Sequence, residues 1–570
     1  MPPVEQNEDV LPRVPLPTVE QSCARFLDWC APLLTTEQLR ETETAVAEFR
    51  GAPEAVDAQA RLAEYEQSPG VQSWLDEFWE FRYLGRRDRI ALNANFFFLF
   101  EDSGQRQLPR AATLLHRALR YRQRILDGKL AQAGNRGQPE SMAQYGFLFG
   151  TTRIPGEGQD TARPPGPARH IVVFVRGHAF RVDVLDEQGL PYAEAELAAV
   201  LDTVLEATVG RGAGVGALTS AARAEWAGDR QALLELGNTP ALETVETALL
   251  CLCLEDEQPG DTHGSCAQLL HGDPGNRWFD KALSLIVFPD GTAGVNVEHC
   301  RLDGTTMLHL VDAILGTDED QDGTDQDSTG EPGYAPISFT LDEALRARIA
   351  ETAAAFTEYA GQTATELLAI DDFGAEDAKA LGVSPDAFVQ LAYQLAHQRA
   401  KGFLGATYES IATRQYRNGR TEAMRVVTPE LHRFVTLMED PAASAAERIA
   451  AARDAARAHV ARAKQCQAGA APEQHLWELS RRGAEGLALY DSPGWRIMRS
   501  DYLSTSSAPS RHIQYFGFGS TSPQCIGIAY VLLPSRFHVH LCTPEAVREP
   551  MQVFARELSG AIAELRSLLG

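Results

Sequence analysis

The stretch Ala282-Leu-Ser-Leu-Ile-Val-Phe288-Pro289-Asp290-Gly291-Thr292-Ala-Gly-Val-Asn-Val-Glu-His299-Cys-Arg-Leu-Asp303-Gly304 decides the reading of this chain. Two runs suited to strands, 282–288 and 292–299, flank Pro289-Asp290-Gly291, a turn signal, so a β-hairpin is expected. In its second strand Val295, Val297 and His299 share one face by the two-residue period, which points the imidazole where the core-facing valines point. Asp303 is kept for local charge pairing, and Gly304 lets the chain turn away. An imidazole has the ordinary pKa that suits proton transfer near neutrality. The functional reading is a general base, His299, with a structural carboxylate, Asp303; a core histidine beside an Asp-Gly turn would look the same locally.

Working outward, strands are expected at 170–175 and 179–185. A helix follows at 193–209, with Leu197, Val200, Leu201, Val204 and Leu205 on one face. Upstream, Pro12, Pro15 and Pro17 make an extended lead-in. Helical periodicity then covers 18–49, an aromatic helical segment 71–82, and an amphipathic helix 110–130. Downstream, the acidic stretch 316–334, rich in Gly, Asp and Thr, reads as an exposed linker and a domain boundary. Ser384-Pro385-Asp386 opens a helix with a capping residue, a proline at its first position and an acid in its first turn. Phe388, Leu391, Ala392, Leu395 and Ala396 form its buried face. Strands return at 513–516, 526–533 and 537–542, and a last helix closes the chain. The expected division is 1–95 (extended and helical, packed on the body), 96–335 (with His299) and 336–570.

At 570 residues and 44% apolar content, the chain is long enough for several domains with ordinary cores. No apolar run reaches the ~18 residues of a membrane-spanning helix. The first nine residues are acidic and lack an apolar leader, so a cytoplasmic protein is expected. The formal charge of −26 argues against nucleic acid and anionic membranes as partners. Nine scattered cysteines, without a Cys-x-x-Cys pair, read as reduced thiols.

Other motifs divide between chemistry and packing. Ser504-Thr505-Ser506 follows Tyr502-Leu503 and offers a hydroxyl to a developing oxyanion, or else a strand-end Ser/Thr turn. Gly210-Arg-Gly-Ala-Gly-Val-Gly216 follows a helix rather than a strand and reads as a flexible connection, not a phosphate cradle. Asp318-x-Asp320-x-Asp322-Gly323 opens like a calcium loop, but Thr329 stands where a bidentate Glu is needed. His538, His540 and Cys542 share a strand face about 7 Å apart, too far for one ion, so no metal is expected. Neither a Gly-x-Ser-x-Gly elbow nor a His-Glu-x-x-His motif occurs.

Several blocks together resemble the choline/carnitine O-acyltransferase family. They are Leu11-Pro-Arg-Val-Pro-Leu-Pro17, Met142-Ala-Gln-Tyr145, Arg153-Ile-Pro-Gly156, Gln159-Asp-Thr161, Gly275-Asn-Arg-Trp-Phe-Asp-Lys281 leading to Val297-Glu-His299, Ser384-Pro-Asp-Ala-Phe388, Thr407-Tyr-Glu-Ser410, Gly419-Arg-Thr421 and Leu503-Ser-Thr-Ser506. The resemblance implies an α/β fold of two domains, of the coenzyme A-dependent (chloramphenicol acetyltransferase-like) type, with the histidine in a tunnel at their interface. It implies a monomer, no cofactor beyond the coenzyme A thioester as co-substrate, and direct acyl transfer: His299 as base, Ser506 on the oxyanion, Asp303 in support.

The resemblance also assigns binding residues. Tyr408 and Thr421 match the family's Tyr and Thr that hold the carnitine carboxylate, with Ser504 and Phe516 completing the acceptor set. Alignment on Glu473-Gln474-His475-Leu476 puts Gln474 where the carnitine enzymes have Arg. A neutral amide does not make Arg's bidentate pair, so an acceptor other than carnitine, lacking a carboxylate, is expected. Ser384, Asp386 and Lys379 fall in the coenzyme A segment, where only Lys379 remains of the family's lysines, beside Glu376 and Asp377. That loss leaves two donors open, coenzyme A held by its pantetheine arm or an acyl-carrier protein. Gln514, with Ile513, lines the expected acyl pocket and disfavours a long apolar chain. Two competing readings are a non-catalytic acyl-thioester binder and an amide-forming, condensation-type enzyme with the same His-x-x-x-Asp-Gly pattern.

Overall fold

The hairpin leading to His299 forms where its turn residues put it. Leu283–Val287 and Ala293–Val297 pair antiparallel, Ala293 opposite Val287 and Val297 opposite Leu283. Gly291 takes φ +93°, and a Cβ there would lie 1.8 Å from the Gln105 carbonyl oxygen, so the turn needs glycine. Asp290 Oδ1 accepts the Thr292 amide at 2.8 Å and closes the turn.

The computed structural model describes residues 8–135, 137–316 and 326–570. In it the hairpin lies inside the larger of two main sheets. That sheet runs, edge to edge, Tyr334–Pro336, His178–Asp183, His170–Val175, Cys251–Leu254, Leu283–Val287, Ala293–Val297, Phe96–Phe100, Ile513–Phe518. Its central strands are buried throughout, which is why they read as unbroken apolar runs. Helices Gln107–Leu126, Glu194–Ala207 and Gly304–Leu315 cover one face, and Arg223–Glu235, Thr262–Leu270 and Glu343–Gly361 the other.

The second sheet runs Thr363–Ile370, Phe537–Pro544, Ile526–Leu532, Leu503–Ser507, Thr407–Ala412, Thr421–Arg425. Helices Pro385–Lys401, Ala445–Gln467 and Arg548–Leu569 share its core with Phe26, Trp29 and Phe49 of the N-terminal helices. The molecule is thus α/β, with two sheet-and-helix domains. A cut at 335/336 does not separate the sheets, however. Strand Ile513–Phe518 crosses back and pairs antiparallel with Phe96–Phe100, Phe516 opposite Phe98. It covers an edge that would otherwise expose a row of phenylalanines and unpaired backbone.

Local departures from the expected elements have simple causes. The periodicity at 18–49 is two helices, Val19–Cys30 and Thr36–Gly51, separated by the turn Ala31–Leu33 with its proline. Each starts in a capping box, on Thr18 and on Thr35. The aromatic helix starts late, at Asp76, because Asp76 Oδ2 takes the Gln72 and Ser73 amides at 2.9 and 3.2 Å. Gly210–Gly216 is not a loose connection. A Cβ on Gly212 would stand 2.4 Å from the Gly177 oxygen, and one on Gly216 1.9 Å from the Arg277 oxygen, so these glycines permit close backbone packing. Asp318, Asp320 and Asp322 lie outside the described residues. No helix of the described residues is long and apolar enough to cross a membrane. All nine cysteines are buried and unpaired.

Candidate active site

Strand Ala293–Val297 ends two residues before His299, and the next side chain fixes how the chain leaves it. Glu298 is buried; its carboxylate takes Arg153 Nη1 at 3.2 Å and the Cys300 amide at 3.1 Å. His299 itself is partly open, its side chain 29% exposed. The ring is held at both nitrogens. Nδ1 lies 2.5 Å from the Leu302 carbonyl oxygen, and Nε2 lies 3.1 Å from the Tyr83 hydroxyl. A carbonyl only accepts, so the proton sits on Nδ1 and the Nε2 lone pair is free to accept. The Tyr83 and Phe96 rings pack on the imidazole at 4.8 and 5.2 Å. Burial holds the pKa of His299 below the ordinary imidazole value, with Asp303 acting against that shift and Arg420 adding to it.

Asp303 Oδ1 is 3.6 Å from Nδ1, too far for a hydrogen bond and close enough for charge. Its direct partners come from elsewhere. Arg420 donates through Nε at 3.0 Å and Nη2 at 2.7 Å, and Gln144 Nε2 at 2.6 Å. Burial would raise the Asp303 pKa, but Arg420 and the hydrogen bonds hold it at about 2. Arg420 also donates to the carbonyls of Cys300 and His299 at 2.7 and 3.0 Å, and its guanidinium lies over the Tyr83 and Trp79 rings. Gln144 Oε1 accepts the Asp303 amide at 2.7 Å and the Thr306 hydroxyl at 3.0 Å, fixing the start of helix Gly304–Leu315. Reading from residues alone misses Tyr83, Gln144 and Arg420, which lie 216, 159 and 121 residues from their partners His299, Asp303 and the His299 carbonyl. The one signal for two of them was membership in the blocks Met142–Tyr145 and Gly419–Thr421.

The second sheet brings the remaining candidates onto one face. Tyr408 stands opposite Ser504 and Arg425, Ser410 opposite Ala423, Ala412 opposite Thr421, and Ser506 opposite Ala529. Cross-strand partners point the same way, so Tyr408, Thr421, Ser504 and Ser506 share a face. The same face carries His538, His540 and Cys542 and packs on the first domain: His540 meets the Phe97 ring edge-on at 5.4 Å, and His538 Nδ1 donates to the Gln514 carbonyl at 3.0 Å. Burial pushes His540 down to about 3 and Cys542 up to about 12. Among the described residues no three His, Cys, Asp or Glu side chains form a group able to hold a metal ion. Thr505 points the other way, its hydroxyl donating to the Tyr408 carbonyl at 2.9 Å and accepting from Gln390. Ser506 is thus mid-strand and half-buried, not in a turn.

Gln474, in helix Glu473–Leu479, is buried at 5% exposure. Nε2 donates to the Thr421 carbonyl at 3.0 Å, and Oε1 is buried without a partner. Its neighbour Glu473 accepts from Arg425 Nε at 2.8 Å and faces Arg499 Nε at 3.4 Å, while Arg425 also holds Asp501. Burial lifts the Tyr408 phenol to about 12. Phe516 stacks edge-on against Phe98 and Phe96 at 5.3 and 6.1 Å, one ring from His299. Gln514 is half-buried, whereas Ile513 is fully buried within the first-domain core. Ser384 caps helix Pro385–Lys401 without a side-chain bond, Tyr530 donates to Asp386 at 3.3 Å, and the exposed Lys379 is held by Glu376 at 2.8 Å.

Residues 14–560 match the model of the family described as Choline/Carnitine o-acyltransferase. Mitochondrial carnitine O-palmitoyltransferase 2 of Mus musculus is 30% identical, over 93% of this chain and 88% of that protein. Carnitine O-acetyltransferase of Columba livia is 28% identical, over 99% of this chain and 94% of that one. Among solved structures, the starter condensation domain of rhizomide synthetase RzmA is similar at 10% identity with a TM-score of 0.34, covering 90% of this chain and 95% of that chain. The expected cytoplasmic placement is overturned, since relatives such as the mouse protein are mitochondrial by name. That expectation rested on the missing leader and on the cysteines read as reduced thiols, and neither fixes a compartment.

Proposed function

Because the chain belongs to the choline/carnitine O-acyltransferase family, and so is an acyltransferase, we propose that it moves a short acyl group from a phosphopantetheine thioester to the hydroxyl of a small acceptor other than carnitine. The observation that carries this reading is the held imidazole: Nδ1 given to the Leu302 carbonyl, Nε2 basic and turned to a hydroxyl. His299 Nε2 takes the proton of the acceptor alcohol, in the place Tyr83 occupies here. The alkoxide attacks the thioester carbonyl, and the Ser506 hydroxyl donates to the tetrahedral oxyanion. The carbon–sulfur bond breaks, and Nε2 returns its proton to the leaving thiolate. Asp303 stays ionised and stabilises the transient imidazolium across 3.6 Å. A thioester is reactive enough that positioning, one base and one oxyanion donor suffice.

Position 474 supports an acceptor other than carnitine. Gln474 gives an N–H to a carbonyl and presents an amide oxygen, so it offers no cation to a carboxylate. On the donor side, Lys379 is already held by Glu376, which weakens the case for a nucleotide phosphate there and keeps an acyl-carrier protein as a second donor reading. Gln514, half-buried, supports a short acyl chain.

The test is product mass spectrometry on a mixed pool of alcohols, with acetyl-coenzyme A and the matching acyl-carrier protein as alternative donors. His299→Ala should lose transfer by about 10²–10⁴-fold. Transfer that survives this substitution sinks the mechanism. A strong preference for free acetyl-coenzyme A removes the carrier reading.

A further inference from the structure

Helix Asp76–Leu84 supplies Tyr83 to the imidazole, and the residue before it is Arg82. Among the described residues Arg82 makes no hydrogen bond and no ion pair, although the chain has 78 acidic residues against 52 basic ones. The acids of its own helix are engaged elsewhere: Asp76 with backbone amides, Glu77 with Arg482, Glu80 with Arg301. The Arg82 guanidinium lies over the Trp477 ring, 5.2 Å from its centre. Arg499 lies over the same ring at 4.4 Å and over Trp495 at 4.7 Å. Trp477 is one turn along its helix from Gln474, and Arg499 is tied to Glu473 at 3.4 Å.

The groups here are therefore three arginines, Arg82, Arg425 and Arg499, against two acids, Glu473 and Asp501. Arg425 engages both acids and Arg499 one of them, which leaves Arg82 over. The field is felt locally. Burial lowers the Arg499 pKa, Glu473 opposes that, and Arg425 and Arg82 add to it; Tyr408 also feels Arg82. A guanidinium stacked on an indole keeps its N–H edge free for an oxyanion.

We propose that the acceptor is an alcohol bearing an anionic group, and that Arg82, with Arg499 beside Trp477, binds that anion. This rests on the acyltransferase reading and deepens it. An acceptor without a carboxylate was expected from position 474 alone; the cation has moved to a helix some 390 residues earlier in the chain. One arginine in excess, exposed at the edge of this charged cluster, favours a net-negative acceptor and disfavours a trimethylammonium group.

Three alcohols separate the charges: carnitine, 3-hydroxybutyrate (the same skeleton without its cation) and choline (without the carboxylate). Glycerol 3-phosphate asks whether the oxyanion is a phosphate, and 1,3-butanediol is the uncharged reference. With acetyl-coenzyme A, kcat/KM for one of the two purely anionic alcohols should exceed that for choline and the diol by about tenfold or more. Arg82→Gln should cut the anion-to-diol ratio about tenfold, through KM. Choline or the diol ahead of both anions, or an unchanged ratio in the variant, overturns the proposal. Titration of 3-hydroxybutyrate and glycerol 3-phosphate alone, followed by tryptophan fluorescence in the parent and in Arg82→Gln, needs no turnover. Saturable binding weakened about tenfold in the variant supports the site; no binding, or equal binding, refutes it. If none of the five alcohols is acylated, the proposed transfer to a small alcohol falls by itself and the titration still decides the anion site.

Discussion

His299 is set to act as a base because burial penalises its charged form, and the neighbouring charges act against each other. Its pKa lies below the ordinary value of about 6.5, so kcat/KM should be flat near neutrality and fall only on the acid side of that value. Arg420 disfavours the imidazolium and screens Asp303. Arg420→Gln should therefore raise the His299 pKa and move the acid limb of the pH profile upward. A limb that stays put or moves down would show that Arg420 does not tune the base. Gln474→Arg restores a cation beside Thr421 and should raise kcat/KM for carnitine by about tenfold; no gain over the parent counts against the pocket assignment. At this scale His299 and Asp303 are legible, because four residues of sequence already bring them together. Tyr83, Gln144 and Arg420 are not, because their contacts depend on how distant segments close.

Among the elements, the strand Ile513–Phe518 does the most. It carries Phe516 toward His299, adds the last strand to the first sheet and supplies the carbonyl that His538 uses. Gly517 is where it touches both domains. A Cβ there would come within 2.2 Å of the Phe97 ring and 2.9 Å of His540 Nδ1. Gly517→Ala should cost about 1–3 kcal/mol by overpacking, measured by chemical denaturation; a change below ~0.5 kcal/mol would mean that the interface gives way easily. Helix Pro385–Lys401 shows how a pattern misleads. Its five expected apolar positions are buried, but so are Gln390, Gln394 and His397. Gln390 and Gln394 donate to Thr505 and Thr407 at 2.9 and 3.0 Å. Buried polar residues imitate a solvent face, so the helix reads as amphipathic although it is enclosed on nearly all sides.

Across the whole molecule, the two sheets are tied by the shared strand, by Arg420 on Asp303, and by Arg414, which donates to the Thr306 hydroxyl and the Ser141 carbonyl. Glu8 adds a further tie, accepting the Met142 amide at 2.7 Å and the Asn418 amide at 3.0 Å. Neither sheet-and-helix unit is complete by itself. Calorimetry should therefore give one cooperative transition, not two; two well-separated transitions would show that these ties are weaker than the cores they join. The hairpin that delivers His299, the strands near 170–185 and 526–542 and the helix opened by Ser384 were legible in the sequence alone, because periodicity and turn chemistry act over a few residues; the strand carrying Ser506 was not, because its hydroxyl-rich run looks locally like a turn. Which nitrogen of His299 carries the proton, what clamps Asp303, which strand closes the first sheet and which arginine is left without an acid were decided only by the tertiary structure. Local pattern encodes which side of an element is buried; what it is buried against depends on chain closure over hundreds of residues.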